Sequence, residues 1–370
     1  MDIKFVDLSR EVKLIEEDLI SATKKVLNSG NYITGEHVYL FEKEFADFCG
    51  VRNAISVGNG SDGLKIIMKS LGIGIGDEVI CPANSFIASA WSIVDAGATP
   101  VFCDVEDNLL LSLESVKKCK SSNTKALMAV HLTGKLCEMD ILNNYCKKEN
   151  IYLIEDAAQS VGATNNNNEK SGSLGIAGSF SMHPLKNLSV YGDGGVITTN
   201  SDELAKEMHM LRNHGLINRD EAKIWGINSR LDELQAAYAL IKLKKIKSWN
   251  KKYIKIATKY NKNLSNKITK PKTQDGYLDI FHNYIIQVPE EIRDQFMKDL
   301  LNVGIETKIH YPIPLHLQSC SKSLGYKNGD LPNSEKLAKR MISLPIYHTL
   351  KESEVDYVID NVNKLSDIYL

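Results

Sequence analysis

The sequence predicts an α/β protein, with a large mixed sheet flanked by helices over residues 1–245 and a smaller C-terminal α+β domain over residues 246–370. Two short apolar runs, Ala54–Val57 and Ile151–Ile154, are typical of buried strands. Segments with apolar residues at helical spacing separate such runs, as expected for a sheet covered by helices. Ligands of open α/β sheets bind beyond the carboxyl ends of the strands, so polar residues that follow these runs are the first candidates for a site.

Composition excludes several classes of function. The formal net charge is -1, so no overall attraction to nucleic acid or to an anionic membrane is expected. The seven cysteines include no C-x-x-C pair, which indicates reduced thiols rather than a disulfide framework or a zinc site. The N-terminus lacks the pattern of a signal peptide, and the longest nearly apolar run, Ser85–Phe102, contains Asp95, Gly97 and Pro100. We therefore expect a cytoplasmic protein.

Two helices are predicted before the first strand. Residues 10–29 have amphipathic spacing, and Gly30 is placed to end that helix. A turn containing Tyr32 follows, and a second helix then runs through Phe41 and Phe45. Tyr32 is interpreted from this pattern as packed structure.

A glycine-rich loop follows the first predicted strand and leads into a helix that we expect to begin at Leu64. Gly58, Gly60 and Gly63 satisfy G-x-G-x-x-G between a strand and a helix, which is the dinucleotide-binding fingerprint. A nicotinamide-dependent sugar oxidoreductase is therefore one interpretation of the chain.

The rest of the dinucleotide signature is misplaced. The acidic residue that holds the ribose should end the next strand, whereas Asp77 and Glu78 precede the apolar run Val79–Pro82. We interpret the loop instead as a phosphate cradle, in which the backbone amides of Gly60 and Ser61 and the helix N-terminus bind a dianion. A plain tight turn stays open as the alternative.

The segment Gly178–Gly195 carries a single lysine, Lys186, among hydroxyl residues, a proline and glycines. Burial among small and apolar residues lowers the pKa of a lysine ammonium, which makes the neutral amine available to condense with a carbonyl. Asp156 follows the strand run Ile151–Ile154. A pyridoxal phosphate (PLP) site needs both a Schiff-base lysine and a carboxylate against the pyridinium nitrogen. The alternatives are a solvated lysine and a helix-capping aspartate.

Further apolar runs predict the other strands of the sheet, at Thr99–Cys103, Ala126–Val130 and Gly195–Thr199. His131 follows the second of them and is either a buried histidine with a partner or a group near the cofactor. The lysine-rich residues 242–252 predict an amphipathic helix with a solvated basic face that leads into the small domain. No aromatic platform or base-reading motif accompanies this charge, so no nucleic-acid role is expected.

Three motifs occur together in this order: G-N-G-S-D-G-L from Gly58, E-D-A-A-Q from Glu155, and S-F-S-x-x-P-x-K-N from Ser179 with G-D-G-G behind it. Together they resemble the DegT/DnrJ/EryC1/StrS family of nucleotide-sugar aminotransferases. The resemblance extends from about Phe5 to Tyr347. It implies a fold of the aspartate-aminotransferase type (fold type I) and PLP as the cofactor.

The resemblance also implies roles for residues around the cofactor. Phe86 would stack on the pyridine ring, Gln159 would hydrogen-bond the ring hydroxyl, and Ser181 would bind the phosphate. Asn228 corresponds to an asparagine that reaches the cofactor phosphate of the other subunit, which implies a homodimer with shared active sites. The turn containing Tyr32 would lie close to the active site of the neighbouring subunit.

The substrate side is implied by the same resemblance. The turn His310–His316 is similar to the substrate-facing turn of the family, and Tyr311 and His316 are candidate sugar contacts. His183 stands where relatives have an aromatic residue and is a further substrate candidate. A close branch of the family replaces the Schiff-base lysine with histidine to run a dehydration; because Lys186 is intact, transamination is expected.

The implied reaction moves the amino group of L-glutamate to a nucleotide-linked keto-deoxysugar. The motif around Asp62 is more similar to the branch that acts on dTDP-3-keto-6-deoxyhexoses than to the branch that acts on 4-keto sugars, where this position is usually small. A C4 aminotransferase on a UDP- or dTDP-4-keto sugar stays open. So do the oxidoreductase and a non-catalytic regulator of the same fold.

Overall fold

The computed structural model describes residues 1–370 and contains one large mixed sheet of seven strands. The strand order is β1-β7-β6-β5-β4-β2-β3. Only β7 runs antiparallel to its neighbours β1 and β6, and all other pairs are parallel. The α/β prediction is confirmed. The strands are β1 (Asn53–Val57), β2 (Glu78–Pro82), β3 (Thr99–Cys103), β4 (Thr124–Val130), β5 (Tyr152–Asp156), β6 (Ala177–Ser181) and β7 (Gly195–Thr199).

Seven helices belong to this part of the chain and cover both faces of the sheet. In β4, Ala126 and Met128 join an apolar core shared with helices α3, α4 and α7, whereas Leu127 and Ala129 join a core shared with α6. Burial on both faces explains why the strands are continuous apolar runs rather than alternating ones. The helices are α1 (Leu8–Ser29), α2 (Glu36–Cys49), α3 (Gly60–Ser70), α4 (Ile87–Asp95), α5 (Leu113–Cys119), α6 (Met139–Glu149) and α7 (Asp202–Leu211).

The loop between β1 and α3 does not form a dinucleotide site. β1 is an edge strand that pairs only with the antiparallel β7, whereas the first strand of a dinucleotide fold pairs with parallel neighbours. The helix begins at Gly60 rather than at the predicted Leu64, because Asn59 Oδ1 accepts a hydrogen bond from Asp62 N at 2.8 Å and caps it. A Cβ atom on Gly60 would lie 2.9 Å from Ser181 Cβ, so glycine permits the close approach of α3 to the end of β6.

The C-terminal part of the chain has its own small sheet and its own apolar core. β8 (Tyr284–Gln287) and β9 (Met341–Leu344) pair antiparallel and pack against helices. Ile3 also packs in this core and forms a bridge to Ile305, so the N-terminal segment joins the C-terminal part. The helices are α8 (Glu233–Asn263), α9 (Glu290–Asn302), α10 (Pro332–Arg340) and α11 (Glu352–Tyr369).

Helix α8 runs through residues 245 and 246 without interruption, so the domain division predicted at that point stays a proposal. The predicted helix over the lysine-rich run is present, but its basic face is not wholly solvated. Lys242 is buried, with its Nζ 2.6 Å from Glu11 Oε1 and donating to Ser189 Oγ at 2.9 Å. These two partners compensate the buried charge. No helix of the chain is both long and apolar enough to cross a membrane.

Candidate active site

A cavity of about 730 Å³ opens where the carboxyl ends of β5 and β6 meet the N-terminus of α3 and the C-terminal part of the chain. This is the place at which open α/β sheets bind ligands. The predicted site residues that line the cavity are Gly60, Ser61, Phe86, Asp156, Gln159, Ser181, His183, Lys186 and Tyr311.

The Lys186 side chain reaches this cavity from the loop after β6, and its Nζ makes no hydrogen bond or ion pair within the chain. Desolvation lowers the pKa of Lys186 to about 8, although the negative charge of Asp156 opposes the shift. Near neutral pH far more of this amine is therefore neutral than of a lysine with the ordinary pKa. The lysine has the chemistry of a nucleophile and of a proton carrier.

Asp156 ends β5 and is only 7% exposed. Its Oδ2 accepts a hydrogen bond from Ser89 Oγ at 2.7 Å, and its Oδ1 accepts one from Ala158 N at 3.2 Å. These contacts fix the orientation of the carboxylate without neutralising it, because no ion pair forms at Asp156. A buried carboxylate with this arrangement is suited to a positively charged ligand atom.

The N-terminus of α3 offers free donors to an anion. Asp62 N donates to Asn59 Oδ1 and Gly63 N donates to Asn59 O, whereas the N–H groups of Gly60 and Ser61 have no acceptor in the chain. Ser181 lies against Gly60 and adds its hydroxyl to the same corner of the cavity. Backbone N–H groups at a helix N-terminus bind phosphate groups well.

The aromatic side of the cavity joins the two parts of the chain. Phe86, 55% exposed, lies with its ring centroid 5.7 Å from that of Tyr311. Gln159 donates through Nε2 to Tyr311 Oη at 3.2 Å, and its Oε1 accepts from Thr133 N at 2.8 Å. An exposed aromatic face at this wall is available to a planar ligand.

Two predicted site residues lie outside this cavity. Tyr32 is 52% exposed and donates through Oη to Leu27 O at 3.4 Å, and Asn228 is exposed on the segment that pairs with Asn213. Neither residue lines the cavity of its own chain. Their roles at the site of a second subunit stay predictions.

His316 does not take the expected position of a sugar contact. Its side chain is buried, at 2% exposure, and its Nε2 lies 3.0 Å from Glu335 Oε1 on α10. His316 does not line the cavity, because the turn that carries it dips into the core after Tyr311. We therefore withdraw His316 as a sugar contact; of the two candidate sugar contacts on this turn, only Tyr311 lines the cavity.

The other histidine considered from the sequence, His131, has a buried partner. It lines the cavity wall, and its Nε2 lies 2.9 Å from Glu155 Oε2, with both side chains fully buried. Glu155 also accepts hydrogen bonds from the backbone of the loop that precedes β6. We interpret this buried pair as stabilising the structure around the site.

Sequence reasoning missed three polar residues that the C-terminal part adds to the cavity: His282, Asn283 and His310. His282 Nδ1 lies 2.9 Å from Asn187 Oδ1, and His310 Nδ1 lies 2.9 Å from Ser343 Oγ. The signal that points to the first two is the polar pair directly before the apolar strand β8. Burial, and then the positive charge of Lys186, lowers the pKa of His310 to about 4, so this ring is neutral at pH 7.

The donor set fits PLP. Lys186 supplies an amine of lowered pKa, Asp156 a buried carboxylate without a counter-ion, and the start of α3 two N–H groups without acceptors. Phe86 adds a flat apolar surface to the same cavity. These are the features that such a cofactor needs: an anchor, a ring-nitrogen partner, a phosphate cradle and a stacking face.

Comparisons with known proteins agree with this interpretation. The model of the DegT/DnrJ/EryC1/StrS aminotransferase family matches residues 13–363. A "Pleiotropic regulatory protein" of Geobacillus stearothermophilus is 38% identical, with 98% of each chain covered. A "dTDP-3-amino-3,6-dideoxy-alpha-D-galactopyranose transaminase" of Aneurinibacillus thermoaerophilus is 40% identical, with 98% of this chain and 99% of the relative covered.

Solved structures are similar over the whole chain. The crystal structure of DesV of S. venezuelae in complex with a ketimine intermediate is 35% identical, with a TM-score of 0.96 and 99% of each chain covered. The structure of NtdA of Bacillus subtilis with the bound cofactor PMP is 28% identical, with a TM-score of 0.92 and with 99% of this chain and 85% of that chain covered.

Proposed function

The chain belongs to the DegT/DnrJ/EryC1/StrS aminotransferase family, and on that premise we propose that it transfers the amino group of L-glutamate to a nucleotide-linked keto-deoxysugar. It is a PLP-dependent aminotransferase of fold type I. The observation that carries the proposal is the meeting of Lys186 and Asp156 in one cavity, with the pKa of the lysine lowered to about 8.

Each part of the cofactor has a matching group in the cavity. Lys186 would anchor it through the amine, and Asp156 would face the ring nitrogen. Phe86 would cover one face of the ring, and Gln159 would hydrogen-bond the ring hydroxyl. The phosphate would bind to the free donors at the start of α3, Gly60 N, Ser61 N and Ser181 Oγ.

Bound PLP supplies an electron sink for the negative charge that develops at Cα of the amino donor. The residues of the chain handle the protons. Lys186, as a free amine, would take the proton from Cα of the amino donor and deliver it to C4′ of the cofactor; a group with a pKa of about 8 can accept and donate a proton near neutral pH. Ser89 donates to Asp156 Oδ2 and so holds the carboxylate that would face the ring nitrogen.

The acceptor is proposed to be a dTDP-3-keto-6-deoxyhexose. Relatives named as dTDP-3-amino sugar transaminases are 34–40% identical and cover most of the chain, which supports C3 over C4 chemistry. Asp62 lies in the first turn of α3 beside the cradle and accepts from Ser229 Oγ at 2.7 Å. A carboxylate at this point is available to sugar hydroxyl groups.

Assaying dTDP-3-keto and UDP-4-keto sugars in parallel tests this assignment. We expect kcat/KM to be at least about 100-fold higher for the dTDP-3-keto sugar, since a site that hydrogen-bonds the correct polar groups leaves them unpaired with the wrong isomer. A UDP-linked 3-keto sugar serves as the control that separates the effect of the nucleotide on kcat/KM from the effect of the position of the keto group. Preference for the 4-keto sugar would overturn the choice.

A homodimer with shared sites belongs to the same proposal. Asn228 and Tyr32 are exposed and lie outside the cavity of their own chain, and the neighbouring Trp225 is 96% exposed. An exposed tryptophan next to polar site residues is typical of a protein interface. Asn228 of one subunit would then reach the cofactor phosphate held by its partner.

Mixing two variants that are each expected to be inactive at limiting cofactor tests the sharing of sites. Lys186→Ala removes the anchor, and Asn228→Ala weakens the phosphate contact across the interface. In a heterodimer of the two, one site carries both changes and the other carries neither. Random mixing should therefore restore about a quarter of the wild-type activity at limiting cofactor, because half of the dimers hold one intact site. Activity equal to the mean of the two homodimers would contradict a shared site.

A regulatory role is the second candidate, because one similar protein is named as a pleiotropic regulator. The two roles differ in the half-reaction: a regulator binds the cofactor but does not convert it with L-glutamate. Lys186 and Asp156 are both present here, which favours catalysis.

A cytoplasmic location is also proposed, supported by seven cysteines that form no disulfide.

A further inference from the structure

His282 lies in the wall of the active-site cavity, just before β8, and is not among the residues that would hold the cofactor. Its Nδ1 lies 2.9 Å from Asn187 Oδ1, and Asn187 directly follows Lys186 in the chain. Its Nε2 has no protein partner and is not among the buried atoms that lack one, so this nitrogen opens on the cavity.

A chain of amide hydrogen bonds fixes the proton on His282. Asn250 Nδ2 is 2.9 Å from Val161 O, a carbonyl that can only accept, so this end of the Asn250 amide must be the donor. The Asn250 Oδ1 atom then faces Asn187 Nδ2 at 3.5 Å and accepts from it. The remaining Asn187 atom, Oδ1, is an acceptor, so His282 Nδ1 must carry the proton.

The consequence is an acceptor on the cavity side of the ring. Asn187 and Asn250 are buried, so water does not compete for these contacts. Burial, and then the positive charge of Lys186, holds the pKa of His282 well below its usual range, so the ring is neutral. A neutral ring protonated at Nδ1 presents a lone pair at Nε2.

Lys186 provides the matching donor. Its Nζ has no hydrogen-bond or ion-pair partner within the chain, it lines the same cavity, and its charge acts on His282. An amine has N–H groups to donate as well as the lone pair that attacks a carbonyl. If one N–H is held by an acceptor, the lone pair is restricted to fewer directions.

We propose that His282 is a positioning residue for Lys186: the amino group of Lys186, which has no partner in the structure, turns to His282 Nε2 and donates a hydrogen bond that orients the amine for attack on a carbonyl. The inference rests on the proposed function for its consequence in catalysis, but the position of the proton on His282 does not. Asn187 and Asn250 act through His282 and form the support of this arrangement.

The tautomer is measured directly by NMR on cofactor-free protein labelled with ¹⁵N in histidine, with the His282 signal identified by its loss in His282→Gln. We expect His282 to be neutral and protonated at Nδ1 between about pH 6 and 8. A ring protonated at Nε2, or one that titrates in this range, would overturn the proposal.

Paired variants test the relay. Asn187→Asp keeps an acceptor for Nδ1–H and should preserve the tautomer, whereas Asn187→Leu removes it and should give a mixture of tautomers. Asn250 lies on α8 and outside the cavity. Asn250→Leu should therefore also give a mixture of His282 tautomers without changing a residue that lines the cavity. It serves as the second variant if Asn187→Leu does not fold. An unchanged tautomer in both leucine variants contradicts the relay.

The orientation of Lys186 is measured by the rate at which added PLP forms its visible band with the lysine, independently of any amino donor or sugar. His282→Leu should slow this rate about 10-fold, the size expected for one lost hydrogen bond at a reacting group. His282→Gln, which keeps an acceptor, should recover part of it. An undiminished rate in His282→Leu overturns the proposal, whereas failure to transaminate any keto sugar, with the tautomer and the rates as expected, overturns only the proposed function.

Discussion

Lys186→Arg is expected to lower kcat for transamination by about 10⁴-fold, the upper range for loss of a general acid–base group. Arginine keeps a positive charge and a similar length, but its guanidinium stays protonated at every accessible pH and provides no amine to condense with a carbonyl. The phosphate cradle and Asp156 remain, so the variant should still bind PLP without the covalent bond. Turnover with L-glutamate and the visible spectrum of the loaded variant check both statements.

A matched control is Lys244→Arg, which changes an exposed lysine on α8 in the same way. Its turnover should equal that of the wild type. If Lys186→Arg retained full turnover, Lys186 would not be the anchor, and the central interpretation of the cavity would be wrong.

Asp156→Asn is expected to lower kcat by about 10³-fold, because removing one partner of a buried charge pair costs about 3–5 kcal/mol. Asparagine has the same size and can still accept from Ser89, so the change removes the charge and little else. Without this charge the ring nitrogen does not hold its proton, and the electron sink is weakened.

The same variant shifts the titration of Lys186 in a direction that the structure fixes. Desolvation lowers the pKa of Lys186 to about 8, and the charge of Asp156 opposes this larger effect by raising the pKa. Removing the carboxylate charge should therefore lower the midpoint of the pH profile for PLP loading to below about 8. Because the experiment measures PLP loading and not transamination, this effect is independent of turnover. An upward shift would contradict the arrangement.

Ser89→Ala provides the graded comparison for Asp156. It leaves the charge in place and removes one hydrogen bond of 2.7 Å to Oδ2. Its kcat should fall only about 10-fold, as expected for one hydrogen bond to a charged group. If Ser89→Ala were as damaging as Asp156→Asn, the charge would not be the essential property.

The sequence was sufficient to predict the sheet and to select Asp156 and Lys186, which line one cavity in the structure, because the strands and these two residues carry local signals. Asp156 follows a short apolar run, and Lys186 lies in a segment too rich in glycine and hydroxyl residues for helix or strand. The antiparallel insertion of β7 next to β1 was not visible locally, because strand order depends on pairing between distant segments. It is this pairing that removes the dinucleotide interpretation.

The errors concern residues whose partners are far away in the chain. The turn predicts His316 as a sugar contact, but Glu335 on α10 holds its side chain in the core. The lysine-rich run predicts Lys242 on a solvated helix face, but the side chain is buried and pairs with Glu11 on α1. His282 was overlooked because its partner, Asn187, is 95 residues away. A side chain's function depends on such long-range contacts, which single-sequence patterns do not contain.

The visible absorption spectrum of the purified protein, before and after addition of excess L-glutamate, is the most direct test of the PLP site at Lys186 and Asp156. We expect a yellow band from PLP bound to Lys186, which bleaches when the amino group of glutamate is taken up. D-Glutamate is the control and should leave the band unchanged. A protein that shows no band even after PLP is added would contradict the assignment of Lys186 and Asp156 as a PLP site.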